Sequence, residues 1–153
     1  MPKFELQMLD GKPLNNETIT GKVTLLDFWA SWCTVCKAAS PTVDKWQKAY
    51  VDKGFVAVAV NSLESYTMEG EPSEPERIEH SKTKATEYTK DHDYSFDHAV
   101  YGDSVLSLWG FKGVPVFILI NRDGTVAEVL TSGKPEDLEK LGTRIKDLVE
   151  KAG

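Results

Sequence analysis

The sequence predicts an α/β fold with a mixed central sheet, and three observations carry that expectation. Residues 23–29, 55–60 and 116–120 are nearly unbroken apolar runs, as expected of strands buried on both faces. Between and after these runs, apolar residues recur at helical spacing. Two Asp-Gly pairs, Asp10-Gly11 before the first run and Asp123-Gly124 after the third, are hairpin turn signals.

Composition narrows the class. At 153 residues the chain can bury a sizeable core, and residues 1–153 are expected to form a single domain. With 41% hydrophobic and 27% charged residues it is globular rather than disordered. A net charge of −6 argues against nonspecific binding to nucleic acid or to anionic membrane. No run has the length of a transmembrane helix, so no stable membrane insertion is expected. Residues 1–20 are mixed polar, with Asp10 and Glu17, and hold no apolar signal-peptide core. The chain is therefore expected to be cytosolic, or exported with its signal or anchor removed. Two cysteines are too few for a disulfide scaffold. His80, His92 and His98 show no ligand spacing, so no metal site is expected, and all three read as solvated surface residues.

Taken in order, Phe4, Leu6 and Met8 alternate with polar residues and predict a strand with one buried face. Asp10-Gly11 turns the chain, and residues 15–21 read as a polar loop. The run at 23–29 is the first central strand. A helix starts at residues 31–33, with Val35, Ala39, Val43, Trp46 and Tyr50 as its apolar stripe. Pro41 removes one backbone bond inside it and predicts a kink near residues 37–40. Gly54 stops the helix, and residues 55–60 form the second central strand. Residues 61–76 are acidic and carry Gly70, Pro72 and Pro75; they predict a surface loop or insertion whose carboxylates form a solvated face. From Pro75 the pattern is helical, with Ile78, Ser81, Ala85 and Tyr88 on one stripe. Residues 92–98 connect to a short strand at 99–101, and Asp103 is placed to cap a short helix that Gly110 ends. After Gly113-Val114-Pro115 come the third central strand, a turn at Asn121-Arg122-Asp123-Gly124 and an antiparallel strand over 125–130. Pro135, Glu136 and Asp137 open the last helix, whose buried stripe is Leu138, Leu141, Ile145 and Leu148.

One stretch names a chemistry: Trp32-Cys33-Thr34-Val35-Cys36-Lys37, which holds both cysteines at a strand-to-helix junction. The first thiol lies at the helix amino terminus, where unpaired N–H groups and the macrodipole favour a thiolate. The second is one turn on, a spacing that fits a reversible dithiol/disulfide pair. The bland alternative is two small buried core residues. Asp27 is the second candidate, because aspartate is depleted from strands and here interrupts an apolar run. Buried, its pKa would rise, and it could exchange a proton with Cys36 near neutral pH; the alternative places it at a solvated edge. Trp29 and Trp46 read as core, Trp109 as packing by the short helix, and Trp32 as contact surface beside the thiol.

The segment from Leu26 through Cys33-x-x-Cys36-Lys37, the helix proline Pro41, and Gly113-Val114-Pro115 before a strand and an Asp-Gly hairpin together resemble the thioredoxin superfamily. The amino-terminal hairpin and the long segment between the second strand and Pro115 resemble its extracytoplasmic branch, which includes TlpA/ResA-type thiol-disulfide oxidoreductases and the cytochrome c maturation thioredoxins. The resemblance spans about residues 4–148. It implies a thioredoxin-like three-layer α/β/α fold with an amino-terminal β-hairpin, and a protein-disulfide oxidoreductase acting as a reductant. It implies that Cys33 is the nucleophile, Cys36 the resolving thiol and Asp27 the buried acid. Pro115 would be a cis-proline facing the disulfide, with Trp32 and Val114 flanking the substrate groove. No cofactor is implied beyond the redox-active disulfide. The implied partners are protein thiols or disulfides, such as apocytochrome c, and an upstream redox protein. A monomer in the periplasm or cell envelope is expected, with the cytoplasm as the alternative.

The chain also departs from the pattern. Thr34-Val35 replaces the usual dipeptide, a determinant of redox poise, so the direction of electron flow stays open. Ala39 stands where the ResA type carries a glutamate, and residues 55–60 lack the lysine that thioredoxins pair with the buried acid. Other classes fit less well. A non-catalytic binding module would make the disulfide static. A thiol peroxidase would carry threonine or serine at Ala30, and a copper-chaperone relative would need another cysteine spacing and a supporting histidine.

Overall fold

The computed structural model describes residues 1–151. Its strands are β1 (Glu5–Met8), β2 (Pro13–Asn15), β3 (Val23–Trp29), β4 (Phe55–Asn61), β5 (Asp97–Val100), β6 (Val116–Ile120) and β7 (Val126–Leu130). They form one seven-stranded sheet in the order β2-β1-β5-β4-β3-β6-β7. The sheet is mixed: β3 runs parallel to β4 and antiparallel to β6, while β5 is parallel to β4 and antiparallel to β1. Four α-helices accompany it: α1 (Thr34–Tyr50), α2 (Glu74–Asp91), α3 (Asp103–Leu108) and α4 (Pro135–Glu150).

All of β3 is buried, as its apolar run predicts, and its alternate residues serve two cores. Val23, Leu25 and Trp29 join α1, α4 and Tyr88 of α2 on one face of the sheet. Leu26 and Phe28 join Val105 and Leu106 of α3, with Phe4, Leu6, Leu14 and Ile19, on the other. The expected hairpins form at both Asp-Gly pairs. Gly11 and Gly124 take the positive φ values, 91° and 88°, that those turns require of glycine.

Four expectations are corrected. Helix α1 continues through Pro41, but its buried face is rotated from the apolar stripe. Cys36, Ala39, Ser40, Val43, Asp44 and Gln47 turn inward, while Val35 is half exposed. Polar residues can lie on this face because each finds a partner. The Tyr88 hydroxyl donates to Ser40 Oγ at 2.9 Å, Ser95 N–H to Asp44 Oδ1 at 2.7 Å and Ala57 N–H to Gln47 Oε1 at 2.7 Å. Those bonds tie α1 to α2, to the segment before β5, and to β4.

The stretch 61–76 is not a solvated loop throughout. Asn61, Ser62 and Glu64 are buried, Glu64 to Thr67 form a short 3-10 turn, and Ser73 with Glu76 closes a capping box on α2. Asp103 leaves its expected capping role: Gly102 is the cap residue of α3, and Asp103 Oδ1 accepts the Leu63 N–H at 3.0 Å. His98 is not a solvated residue. It lies in β5 beside the Phe96 ring, and burial pushes its pKa down from 6.5 to about 4, so it is neutral at pH 7.

Gly102 joins β5 to α3 where three elements meet. A Cβ there would press on Ser62 Oγ and come within 2.7 Å of Val60 Cγ1 and 2.9 Å of Phe28 Cδ1. Gly102→Ala is expected to lower the unfolding free energy by about 1–3 kcal/mol, read as a lower urea midpoint at unchanged m-value.

Candidate active site at the Cys33–Cys36 disulfide

Cys33 is the N-cap of α1, with φ −94° and ψ 100°, and is joined to Cys36 by a disulfide with a Cα–Cα distance of 5.3 Å. Cys33 Sγ accepts the Cys36 backbone N–H at 3.2 Å. The unpaired amides of the first helical turn thus point at the first sulfur, the setting that stabilises a thiolate when the pair is reduced. The two sulfurs differ in access: Cys33 is 8% exposed and Cys36 1%. An incoming sulfur can reach only the first.

The first turns of α1, the segment before β6 and the segment leading into α4 build a cleft of about 830 Å³ against Cys33, lined also by Val35, Val114, Pro115 and Gly133. The Val114–Pro115 peptide bond is cis. Trp32 stands outside this cleft, 38% exposed, stacked on Tyr66 with ring centroids 5.5 Å apart. Its Nε1 donates to Leu63 O at 2.9 Å, and the Tyr66 hydroxyl donates to Lys112 O at 3.2 Å. The structure thus brings Cys33, Cys36, Val114 and Pro115 together and sets Trp32 next to them.

Asp27 is buried, which removes the solvated-edge alternative. It shares the face of β3 that carries Leu25 and Trp29, and Cys33, Cys36 and Ala39 lie in the core packed on that face. Its Oδ1 is enclosed with no hydrogen-bond partner among the described residues. Burial pushes its pKa up from 3.8 to about 7, so its proton is exchangeable near neutral pH. Tyr88 packs nearby, its ring 4.4 Å from that of Trp29. Burial, with lesser contributions that include the Asp27 charge, pushes the Tyr88 phenol up to about 12.

Sequence reasoning passed over Glu64. This buried carboxylate accepts Ser31 N–H at 2.7 Å, Ser31 Oγ–H at 2.7 Å and Asn61 Nδ2–H at 2.8 Å. Asn61 is fixed in turn by Ser81, whose hydroxyl reaches Asn61 Oδ1 at 2.8 Å. The strand pairing brings it to the site, because Trp29 and Asn61 are register partners at the carboxyl ends of parallel β3 and β4. Sites in such sheets gather at those ends.

Residues 1–145 match the sequence profile of the Redoxin family. The chain belongs to that family. It is 27% identical over 138 residues to the thiol-disulfide oxidoreductase ResA of Bacillus subtilis, covering 90% of this chain and 68% of ResA. A structure from Chlorobium tepidum assigned to the thiol:disulfide interchange protein DsbE superposes with a TM-score of 0.79 at 30% identity, over 97% of this redoxin and 94% of that chain. The exposed lipoprotein thioredoxin of Streptococcus pneumoniae superposes with a TM-score of 0.68 at 28% identity, over 96% of this chain and 100% of its own. The redoxin is thus a TlpA/ResA-like member of the thioredoxin superfamily. Its activity is thiol-disulfide exchange, and Cys33–Cys36 is its disulfide. Among the described residues no group of three or more His, Cys, Asp or Glu is arranged to hold a metal ion.

The Asp27 pKa carries a stability consequence. The unfolded chain ionises this group above about 3.8, whereas the folded protein holds the proton up to about 7. Stability from this site is complete below 3.8 and is lost as pH rises through 7, by roughly 1.4 kcal/mol for each pH unit between those two values. Asp27→Asn should therefore raise the unfolding free energy at pH 8 by a few kcal/mol over wild type, on the order of 4 at most. The gain should shrink toward zero near pH 4 in paired urea titrations.

Proposed function

We propose that this redoxin reduces disulfides of protein substrates, with Cys33 as nucleophile, Cys36 as resolving thiol and Asp27 as the group that moves the Cys36 proton. The observation that carries the assignment is the unequal access of the two sulfurs, 8% against 1%, with the more accessible one at the N-cap of α1. The Cys33 thiolate attacks one sulfur of the substrate disulfide. The substrate S–S bond breaks, and its first thiolate leaves and takes up a proton. Ionised Asp27 accepts the proton of Cys36, whose thiolate attacks the Cys33 sulfur. The Cys33–Cys36 bond forms, the second substrate thiolate departs, and two electrons have passed from the dithiol to the substrate. An upstream redox protein returns the disulfide to the dithiol.

Trp32, Val114 and Pro115 contact the bound substrate chain in this reading; Val114 and Pro115 form one wall of the cleft at Cys33, and the exposed Trp32 ring adjoins it. The reducing direction is favoured by the buried carboxyl of Asp27 on the face that carries the cysteines. Its negative form opposes a thiolate there, and a pair whose thiolate is little stabilised has a low reduction potential. Extracytoplasmic placement is supported by the likeness to an exposed lipoprotein thioredoxin. Apocytochrome c is the substrate that the TlpA/ResA resemblance suggests, and the chain is taken to act as a monomer. No helix among the described residues is long and apolar enough to cross a membrane.

Cys33→Ser is expected to abolish reduction of insulin by dithiothreitol-charged protein; turnover at the wild-type rate would remove Cys33 as nucleophile. Cys36→Ser should instead accumulate a mixed disulfide through Cys33, visible as a mass adduct that dithiothreitol removes. An adduct-free spectrum after incubation with a disulfide substrate would contradict the resolving role.

A further inference from the structure

Glu64 is a buried acid that the exchange chemistry above does not use. Three donors converge on it, two from Ser31 and one from Asn61, and both of its oxygens accept. Ser31 and Asn61 thus hold both carboxyl oxygens in place. Ser31 precedes Cys33 by two residues in the turn where Cys33 N–H bonds to Ala30 O at 3.0 Å. The backbone at Leu63, beside Glu64, is left-handed with φ 58°; Leu63 O receives the Trp32 indole N–H, and Leu63 N–H is held by Asp103. Both sides of the turn entering the disulfide are thus anchored to residues 63 and 64.

We propose that Glu64 is a positioning residue that fixes the Ser31-Trp32-Cys33 turn, and that its charge opposes ionisation of the Cys33 thiol, holding the reduced pair in check until a substrate engages it. The inference rests on the oxidoreductase reading. Its physical basis is that a carboxylate shielded from water acts over several ångströms with far less screening than one at the surface. Its charge is felt on the opposite side as well: Asp103 is pushed up by burial first, and Glu64 is among the lesser causes. The other charged groups around the pair are Asp27 on β3, Lys37 on α1, Asp103 on α3, and Lys134 and Glu139 on the wall of the cleft. None of these differs between the variants below, so a difference isolates Glu64.

The test is the pH dependence of Cys33 alkylation by iodoacetamide in the reduced full chain, with the equilibrium against glutathione measured alongside. Glu64→Gln removes the charge and should lower the apparent Cys33 pKa by about one unit, giving about tenfold more thiolate near pH 7. The glutathione equilibrium should move in the same direction, toward the dithiol, by a smaller factor at pH 7 that grows as pH rises. Ser31→Ala keeps the charge but removes one of the donors that neutralise it, and should raise the Cys33 pKa. Opposite shifts support the proposal. Shifts of the same sign, as general loosening of the turn would give, overturn it, as does an unchanged value in Glu64→Gln. Should Glu64→Gln fail to fold by circular dichroism, Ser31→Ala decides: an upward shift supports the proposal and any other result overturns it. Alkylation reads the thiol without turnover. A wild type that reduces insulin while the variants show no opposite shifts therefore loses only the role of Glu64, whereas a wild type inert toward disulfides loses the oxidoreductase reading itself.

Discussion

A carboxyl group set in the middle of the central strand, with no donor to receive it, is the constraint to which the active site answers. Asp27 lies in β3 between two apolar cores, and its neighbours across the ladder are Ala59 of β4 and Phe117 of β6. Neither can offer a side-chain hydrogen bond. Burial therefore favours the neutral acid, and the fold gives up stability as pH rises toward 7. Groups with such perturbed pKa values cluster at functional sites, and this one lies on the face of the sheet that carries the disulfide. The small residues Ala39, Ala57 and Ala59 in the same core let α1 approach the sheet closely there.

The rest of the architecture keeps that approach fixed. Helix α1 has to present Cys33 at its first turn and Cys36 inward, which sets its rotation about its own axis. With that rotation, Ser40, Asp44 and Gln47 face the sheet, and each is met by a donor from a different element. The polar bonds thus lock one rotation of a helix that apolar contacts alone would leave freer to slip, since the Val35-Trp46-Tyr50 side is also hydrophobic. On the other side of the pair, the Asn61–Ser81 and Glu64–Ser31 bonds hold the carboxyl ends of β3 and β4 to α2 and to the turn before Cys33.

This division explains what could be read from the sequence. The three buried strands, the hairpins, the last helix and the Cys33–Cys36 pair were legible because each follows from local pattern: unbroken apolar runs, Asp-Gly turns, a clean helical stripe, a fixed cysteine spacing. The burial of Asp27 was legible for the same reason, since a strand enclosed on both faces leaves its residues nowhere else to point. The rotation of α1 was not, because apolar periodicity favours the Val35 side and the partners that draw Ser40, Asp44 and Gln47 inward come from residues 88, 95 and 57. Glu64 was hidden among acidic neighbours that are exposed. Only the pairing of Trp29 with Asn61 brings residue 64 beside residue 31, and no local window contains that pairing. The partial burial of His98 was hidden because its strand is too short to show a period.

Asp27 and Glu64 then form an informative pair. Both are buried acids in segments that converge on one disulfide, yet their surroundings are opposite. Asp27 has an unpartnered oxygen in an apolar core; Glu64 receives three hydrogen bonds. Environment sets what such groups do: burial without a donor pushes the Asp27 pKa up to about 7, while the bonds to Glu64 tie together the segments they come from. In the proposed mechanism Asp27, on the strand face whose core includes Cys36, takes the proton of that sulfur. Glu64 instead bonds to the turn leading to Cys33, the more accessible sulfur. On the two proposals together, one pair of thiols separated by two residues answers to two buried acids, one from the strand beneath it and one from the segment that follows β4.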